Sequence, residues 1–161
     1  TGERTFEAAA LLRCSGADPN LVRLLFKDDM SSVQIRAKLV AEAKTPIPGL
    51  AISVLRNAVH DTMSSVLAAQ TADTLITING IFVGVAIVEY KDGSLGVSAR
   101  SDGSVNVQVI MEALGGGGHQ TVAGVQLADK RAKDVEPTII ELTKKQVEER
   151  DNNESNSVTR C

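Results

Sequence analysis

Apolar positions recur every three or four residues near the start of the chain and predict three short amphipathic helices. The first should end at Ser15-Gly16, where a glycine is soon followed by Pro19. Asn20 is expected to cap the second, and Ser31 or Ser32 to begin the third. The apolar positions are Phe6, Ala9, Ala10 and Leu12, then Leu21, Leu24, Leu25 and Phe26, then Val33, Ile35, Leu39 and Val40. Three such helices form either a connector with a docking face or a small cap on the main core.

Beyond Pro46 the pattern changes to alternating strands and helices. The Pro46 to Gly49 segment breaks the helical pattern, and residues 50–55 read as a buried strand. The β-branched run 81–90 and the segment 94–100 flank an Asp92-Gly93 turn, which predicts a β-hairpin. The other predicted elements are a helix entered through Asp61 and ending at Leu75, a helix from Val105 capped by Asp102-Gly103-Ser104, a strand at 119–127 and a helix at 132–150.

The order of these elements predicts an α/β (α+β) fold with a mixed β-sheet flanked by helices and an N-terminal helical linker segment. We expect residues 1–45 to form the linker, residues 46–150 the main domain and residues 151–161 a polar, disordered tail. The chain starts at Thr1 without an initiating Met, which indicates a piece of a larger protein.

Composition narrows the function. With 161 residues, of which 43% are hydrophobic, the chain suits one compact domain. Aromatic residues make up 2%, so stacking platforms for single-stranded nucleic acid are nearly absent. A net charge of -3 argues against a long polyanion and favours a short ligand held by one or two cations.

Cys14 and Cys161 indicate neither a disulfide framework nor a metal knuckle, so a reducing compartment is the simplest reading. Neither a membrane span nor a cleavable signal is predicted.

The most specific chemical signal is the run Gly115-Gly116-Gly117-Gly118, which leads directly into His119. Residues without Cβ let backbone N–H groups approach a ligand, and converging N–H groups bind anions. An imidazole can donate to a phosphate oxygen or stack against a base. The segment therefore predicts a nucleotide or phosphodiester site, with a flexible hairpin or hinge as the alternative.

A second cluster of polar residues ends the predicted hairpin. If the strand ending at Arg100 pairs with the strand after His119, these two side chains emerge near one another. Arg100 offers a planar fork for phosphate oxygens, Ser98 and Ser101 offer hydroxyls, and the helix entered at Val105 offers N–H groups. Together they predict one phosphate pocket. Taken singly, a solvated strand-end arginine and ordinary turn hydroxyls are the alternatives.

These residues carry a family resemblance. The segments Ser98-Ala99-Arg100-Ser101, Val105-Asn106-Val107 and Gly115-Gly116-Gly117-Gly118-His119 resemble the DHH-associated domain found behind the DHH phosphoesterase domain. The opening Thr1-Gly2-Glu3-Arg4-Thr5-Phe6-Glu7-Ala8-Ala9, then Gly16-Ala17-Asp18-Pro19 and Ala69-Gln70-Thr71-Ala72-Asp73 are similar to the cyclic-di-AMP phosphodiesterases of that superfamily. The resemblance extends from Thr1 to about Val147.

The resemblance implies that one domain binds the metal ions and another binds the nucleotide. A DHH domain of the same polypeptide, outside this chain, would hold two manganese ions, and residues 1–45 would be the linker from its end. The associated domain would clamp a cyclic dinucleotide or short oligonucleotide. Arg100 and Ser101 would hold a phosphate, and His119 would contact the phosphate or adenine. The backbone donors would come from Gly115, Gly116, Gly117 and Gly118, with Ser98 and Asn106 as further contacts. It also implies a cytoplasmic domain of a membrane-anchored protein and leaves a homodimer open.

The chain carries too few metal ligands for hydrolysis. Two-metal hydrolysis needs clustered carboxylates and histidines, and His60 and His119 are the only histidines. Asp61, next to His60, reads better as a helix cap. We therefore predict no catalytic residue and no metal site here, and expect the chain to bind without cleaving. Two alternatives remain: the substrate-binding domain of an oligoribonuclease-type DHH phosphoesterase, and a non-catalytic nucleotide-binding or dimerisation module.

Overall fold

The computed structural model describes the backbone of residues 2–158 and the side chains of residues 2–150. Contacts divide the chain into two units, one ending at Val33 and the other beginning at Gln34. Within residues 2–158, no helix combines the length and the apolar content that crossing a bilayer requires.

The first unit contains helices α1 (Glu3–Cys14) and α2 (Pro19–Leu25), neither of which buries a side chain. After α1 the chain turns at Gly16, whose φ of 96° is one that glycine adopts readily. Asn20 does not cap α2, because the carboxylate of Asp18 takes that position and accepts the Asn20 N–H at 2.8 Å. Proline suits the first turn because it has no N–H to satisfy.

Helix α3 (Met30–Ala41) includes the boundary between Val33 and Gln34 and begins one or two residues earlier than predicted. Its start is stabilised by Asp29, whose carboxylate accepts the backbone N–H of Ser32 at 3.0 Å and both neighbouring hydroxyls. The hydrogen bonds from Ser31 and Ser32 lower the pKa of Asp29 well below its usual range. A carboxylate at a helix N-terminus also interacts favourably with the helix dipole.

The second unit is built on a six-stranded mixed sheet in the order β1-β2-β3-β4-β6-β5. Only β2 and β3 are parallel among these neighbours; the other pairs are antiparallel. The strands are β1 (Lys44–Ile47), β2 (Gly49–Ala58), β3 (Ile81–Tyr90), β4 (Leu95–Ser101), β5 (Gly117–Gly118) and β6 (Val122–Leu127), and the helices are α4 (Thr62–Leu75), α5 (Val107–Ala113) and α6 (Ala132–Val158). The predicted α/β fold with a mixed, helix-flanked sheet is confirmed.

Each face of the sheet packs against helices. The larger core lies between one face and helices α5 and α6, where Leu50, Val85, Met111 and Ile139 are fully buried. The other face packs against α4 through small residues, which bring the helix close to the sheet. At Gly84 of β3, a Cβ would lie 2.6 Å from a backbone oxygen of α4, so this position needs glycine. Helix α4 lies mainly over β3, packs less on β4 and least on β2, and leaves β6 largely open.

Some of the predicted limits of helices and strands agree with the structure, and others differ from it. The strand at 81–90 and the helix capped by Asp61 are confirmed. Strand β1 was missed, because Pro46 reads as a breaker, yet proline is tolerated on an edge strand. The strand predicted from His119 begins at Val122 instead. Helix α6 continues to Val158, into the segment for which the sequence indicated disorder, and residues 159–161 of that segment lie outside the described residues.

The cap of α4 gives a pH-dependent test. Asp61 accepts the Ser64 N–H at 2.8 Å, and this bond lowers the pKa of the carboxyl below 3.8. A group whose pKa is lowered in the folded state adds stability above its unfolded pKa and loses it as pH falls through the folded value. We expect wild type to be more stable than Asp61→Asn at neutral pH, with the difference shrinking below pH 3.8. Urea unfolding across this range measures it, and a constant difference would contradict it.

Candidate functional site

Arg100 and His119 lie in one row across three chain segments. Arg100 of β4 is paired with Val122 of β6, as the sequence required for these groups to meet. Val122 in turn exchanges backbone hydrogen bonds with His119, at 2.7 and 3.3 Å. Residues directly opposite one another in a sheet share a face, so all three side chains project on the α4 side. Two strand spacings, about 10 Å, separate the backbones of Arg100 and His119.

Arg100 is held in place by two hydrogen bonds. Its Nε donates to Oδ1 of Asp73 on α4 at 2.7 Å, and its Nη1 donates to the carbonyl of Ala99 at 3.0 Å. The side chain of Arg100 is 14% exposed, whereas that of Asp73 is 56% exposed. Arg100 is therefore an oriented and partly covered cation rather than a freely solvated strand-end charge. Asp73 was missed as a site residue, because nothing in the sequence pairs it with a residue on a distant strand.

The first two glycines of the run end helix α5. The N–H of Gly115 donates to the carbonyl of Glu112 at 2.9 Å, and that of Gly116 donates to Met111 at 2.8 Å. With Gly115 at a φ of 87°, this is the Schellman arrangement of a helix C-terminus. Both N–H groups are used within the protein. We therefore assign Gly115 and Gly116 to ending the helix, and not to donating hydrogen bonds to a ligand.

The last two glycines form β5, an edge strand paired with Gly124 and Ala123 of β6. Because His119 and Val122 exchange both of their hydrogen bonds, the alternation of an antiparallel ladder makes the next pair a non-bonded one. The N–H of Gly118 consequently points away from β6, whereas that of the glycine before it points toward β6. Of the four glycines, Gly118 is the one whose geometry suits a backbone donor next to His119, which is itself exposed.

Ser101 stabilises the loop after β4. Its hydroxyl donates to the carbonyl of Val105 at 2.6 Å and accepts the N–H of Gly103 at 2.9 Å, and the residue is 5% exposed. A phosphate oxygen needs a donor, and the only proton of this hydroxyl is already engaged. The structure therefore gives Ser101 a positioning role for the loop beside Arg100.

Asn106 is the N-cap of α5. Its side chain accepts the Gln108 N–H at 3.0 Å, and its backbone exchanges hydrogen bonds with Gln146 of α6. The N–H of Val107 donates to the carbonyl of Gln120 at 2.9 Å. Two of the donors that the sequence predicts to be available at this helix N-terminus, the N–H groups of Val107 and Gln108, are thus used within the protein. The predicted cap is wrong, because Asp102 instead forms a turn with Ser104.

Ser98 lies beside a groove on the α4 side of the sheet. It precedes Arg100 by two residues, which places both side chains on the same face of β4. The groove has a volume of about 260 Å³ and runs between α4 and strands β4 and β6. Half of its lining residues are small, namely Ser65, Ala68, Gly96, Ser98 and Gly124, and Tyr90 also lines it. This groove was not visible in the sequence, because its lining comes from distant segments.

No metal centre is formed by the part of the chain whose side chains are described. Within residues 2–150, no three His, Cys, Asp or Glu side chains group closely enough to hold an ion. His60 is exposed, and its ring lies 4.5 Å from that of Tyr90 at a tilt of 50°. Its neighbour Asp61 caps helix α4, as the sequence predicts.

Comparison with known proteins identifies the family of this chain. A family model described as the DHHA1 domain matches residues 49–149, which is most of the second unit. The chain belongs to the DHHA1 domain family. This confirms the resemblance seen in the sequence, and the matched region includes the whole row from Arg100 to His119 together with Asp73.

Curated relatives of this DHHA1 domain are much longer proteins. The chain is 48% identical over 142 residues to cyclic-di-AMP phosphodiesterase GdpP of Geobacillus thermodenitrificans, covering 88% of the chain and 21% of the relative. It is 41% identical over 140 residues to cyclic-di-AMP phosphodiesterase PdeA of Listeria monocytogenes, covering 87% and 21%. A protein of Aster yellows witches'-broom phytoplasma, named a membrane protein fused to ribosomal subunit bL9, is 31% identical over 153 residues, covering 95% and 18%. The chain thus spans about a fifth of the length of these relatives.

A solved structure shows the same fold. The exopolyphosphatase-related protein of Bacteroides fragilis superposes with a TM-score of 0.73 over 90% of this chain and 44% of its own. At 13% sequence identity, this likeness concerns the fold of the DHHA1 domain alone.

Proposed function

We propose that this chain is the substrate-binding part of a manganese-dependent phosphodiesterase that acts on cyclic-di-AMP, with Arg100 and His119 receiving a phosphate. The observation that carries the proposal is the cross-strand row of Arg100, Val122 and His119 on one face of the sheet. The names of the GdpP and PdeA relatives support the choice of substrate.

The chemistry of the row suits a phosphodiester. A guanidinium presents planar donors that match two phosphate oxygens, and an exposed imidazole supplies a further donor. The outward N–H of Gly118 adds a backbone donor beside His119. Since the chain carries a net charge of -3, binding must come from such local donors and not from a general positive field. The adjoining groove, with Ser98 in its wall, offers space for the rest of the nucleotide.

The donor set of this chain does not fit a manganese ion. Two-metal hydrolysis requires several clustered carboxylates and imidazoles, and residues 2–150 bring no three such groups together. We propose that a DHH domain of the same polypeptide holds the manganese and that this chain orients the nucleotide toward it. We further propose a cytoplasmic domain of a membrane-anchored protein, which the name of the phytoplasma relative supports.

Titration of the chain with cyclic-di-AMP tests the proposal. We expect a dissociation constant in the high-micromolar to millimolar range, because only part of the clamp is present. Replacing Arg100→Ala removes charge-assisted hydrogen bonds worth about 1.5–3 kcal/mol, so affinity should fall by roughly tenfold or more. Calorimetry, or NMR shift titration for the weakest complexes, measures both constants.

The control is Arg131→Ala, which removes the same charge from an exposed position before α6 and should leave affinity unchanged. Equal affinities for wild type and Arg100→Ala would refute the assigned role of Arg100. Parallel titrations with the linear dinucleotide and AMP separate the alternatives. Preference for the linear ligand would favour an oligoribonuclease-type enzyme, and no nucleotide binding would favour a non-catalytic module.

A further inference from the structure

We propose that Asp73 is a positioning residue for phosphate recognition, which fixes the guanidinium of Arg100 so that its outer donors face the ligand. This inference rests on the proposed function and extends it to a residue of α4 outside the glycine and histidine motif. It starts from the contact between Asp73 Oδ1 and Arg100 Nε, a 2.7 Å hydrogen bond between two elements far apart in sequence.

The two hydrogen bonds of Arg100 occupy the inner side of its guanidinium. A guanidinium carries five N–H donors in a fixed plane. Asp73 accepts the one on Nε, and the carbonyl of Ala99, which lies behind the side chain in the same strand, accepts one from Nη1. Nη2 makes no hydrogen bond to a described side chain or backbone group. The outer pair, one proton each from Nη1 and Nη2, forms the end-on fork that matches two oxygens of a phosphate.

Orientation of this kind favours binding through entropy. A free arginine side chain samples many rotamers and loses them when it grips a ligand. Because Nε and Nη1 are already hydrogen-bonded in the folded protein, Arg100 loses this conformational freedom on folding and not on ligand binding. The side chain of Arg100 is 14% exposed, so the attraction to Asp73 is less screened than in a fully exposed ion pair.

Asp73 could instead hinder phosphate binding through its negative charge, and this alternative predicts a different experimental result. A carboxylate that merely occupied the site of the phosphate would compete with the ligand, and its removal would tighten binding. Because Asp73 contacts Nε and leaves the end-on fork open, we expect orientation to outweigh repulsion. The sign of the affinity change on removing Asp73 therefore decides between the two.

A double-mutant cycle on the 161-residue chain tests this inference. Cyclic-di-AMP is titrated into wild type, Asp73→Ala, Arg100→Ala and the double variant at one ionic strength. Asp73→Ala should weaken binding by about fivefold to tenfold, and should change nothing in the Arg100→Ala background, because coupled residues are not additive. Asp73→Asn keeps an oxygen acceptor for Nε and should stay within about twofold of wild type.

Each possible result of the double-mutant cycle supports or refutes a specific role of Asp73 or Arg100. Unchanged or tighter binding by Asp73→Ala overturns the positioning role, and so does an equal loss in the Arg100→Ala background, which would mean that Asp73 acts by another route. No effect of Arg100→Ala itself would instead refute the proposed phosphate site. The NMR signal of the Arg100 Nε–H reports orientation directly. It should be protected in wild type and Asp73→Asn and exchange-broadened in Asp73→Ala, while thermal unfolding confirms that every variant is folded.

Discussion

Gly116→Ala is expected to destabilise the protein by about 3 kcal/mol, the upper part of the range for overpacking a well-packed site. A Cβ on Gly116 would run into the carbonyl oxygen of Gly124 and lie 2.5 Å from Cβ and 2.9 Å from Cα of Val125. These are mostly backbone atoms of β6, in the middle of a paired strand, and cannot rotate away. Helix α5 and the hairpin that carries His119 would be forced apart.

Gly117→Ala is the matched control. No atom lies within 4 Å of a Cβ at Gly117, so we expect a change below about 0.5 kcal/mol. Urea unfolding of both variants, with the slope compared to exclude altered compactness, gives the two free energies of unfolding. Similar midpoints for Gly116→Ala and Gly117→Ala would contradict the close approach of α5 and β6.

Glu89→Ala should lower the free energy of unfolding by about 2–3 kcal/mol, because it leaves a buried backbone donor without a partner. Glu89 is 8% exposed, and its Oε1 accepts the N–H of Ala132, the first residue of α6, at 2.8 Å. Its Oε2 lies 3.4 Å from Nε of Arg56, which is 62% exposed and can be solvated instead. The main loss is therefore at the helix start.

Glu89→Gln separates the hydrogen bond from the charge. The amide oxygen still accepts the Ala132 N–H, so we expect a loss of about 1 kcal/mol or less, from the helix dipole and the exposed ion pair. Thermal and urea unfolding of both variants measure the comparison. If glutamine is as damaging as alanine, the charge of Glu89 matters more than its acceptor role.

The expected results distinguish residues that support the fold from residues that we propose bind the ligand. The glycines that end α5 and the carboxylate that starts α6 hold helices against one face of the sheet. Arg100 and His119 lie on the opposite face of the sheet, and Asp73 lies on α4, which packs against that face. Substitutions in the scaffold should change stability first, whereas substitutions in the row should change affinity in a folded protein. This division makes the binding measurements interpretable.

Local patterns were sufficient for elements whose residues all favour one conformation. The β-branched run of β3 predicts a strand with the observed limits, and Asp61 followed by helix-forming residues predicts the start of α4. Where local signals conflict, they fail. Pro46 hides β1, and Asp102 looks like a helix cap although Asn106 performs that role. An edge position tolerates proline, and a capping side chain can be taken by a turn, but both depend on neighbours in space.

The candidate site also combines features that the sequence predicts with features that only the tertiary structure determines. Chemical identity could be read from the chain: a guanidinium, an imidazole and a run without side chains, arranged so that pairing of two strands would bring them together. Which donors remain open depends on hydrogen bonds that exist only in the folded chain, whether local or between distant segments. The C-terminus of α5 takes the N–H groups of Gly115 and Gly116, the loop after β4 takes the Ser101 proton, and α4 supplies Asp73 to Arg100. Each N–H or O–H proton is normally used in one hydrogen bond, so only the folded chain specifies which donors remain available to a ligand.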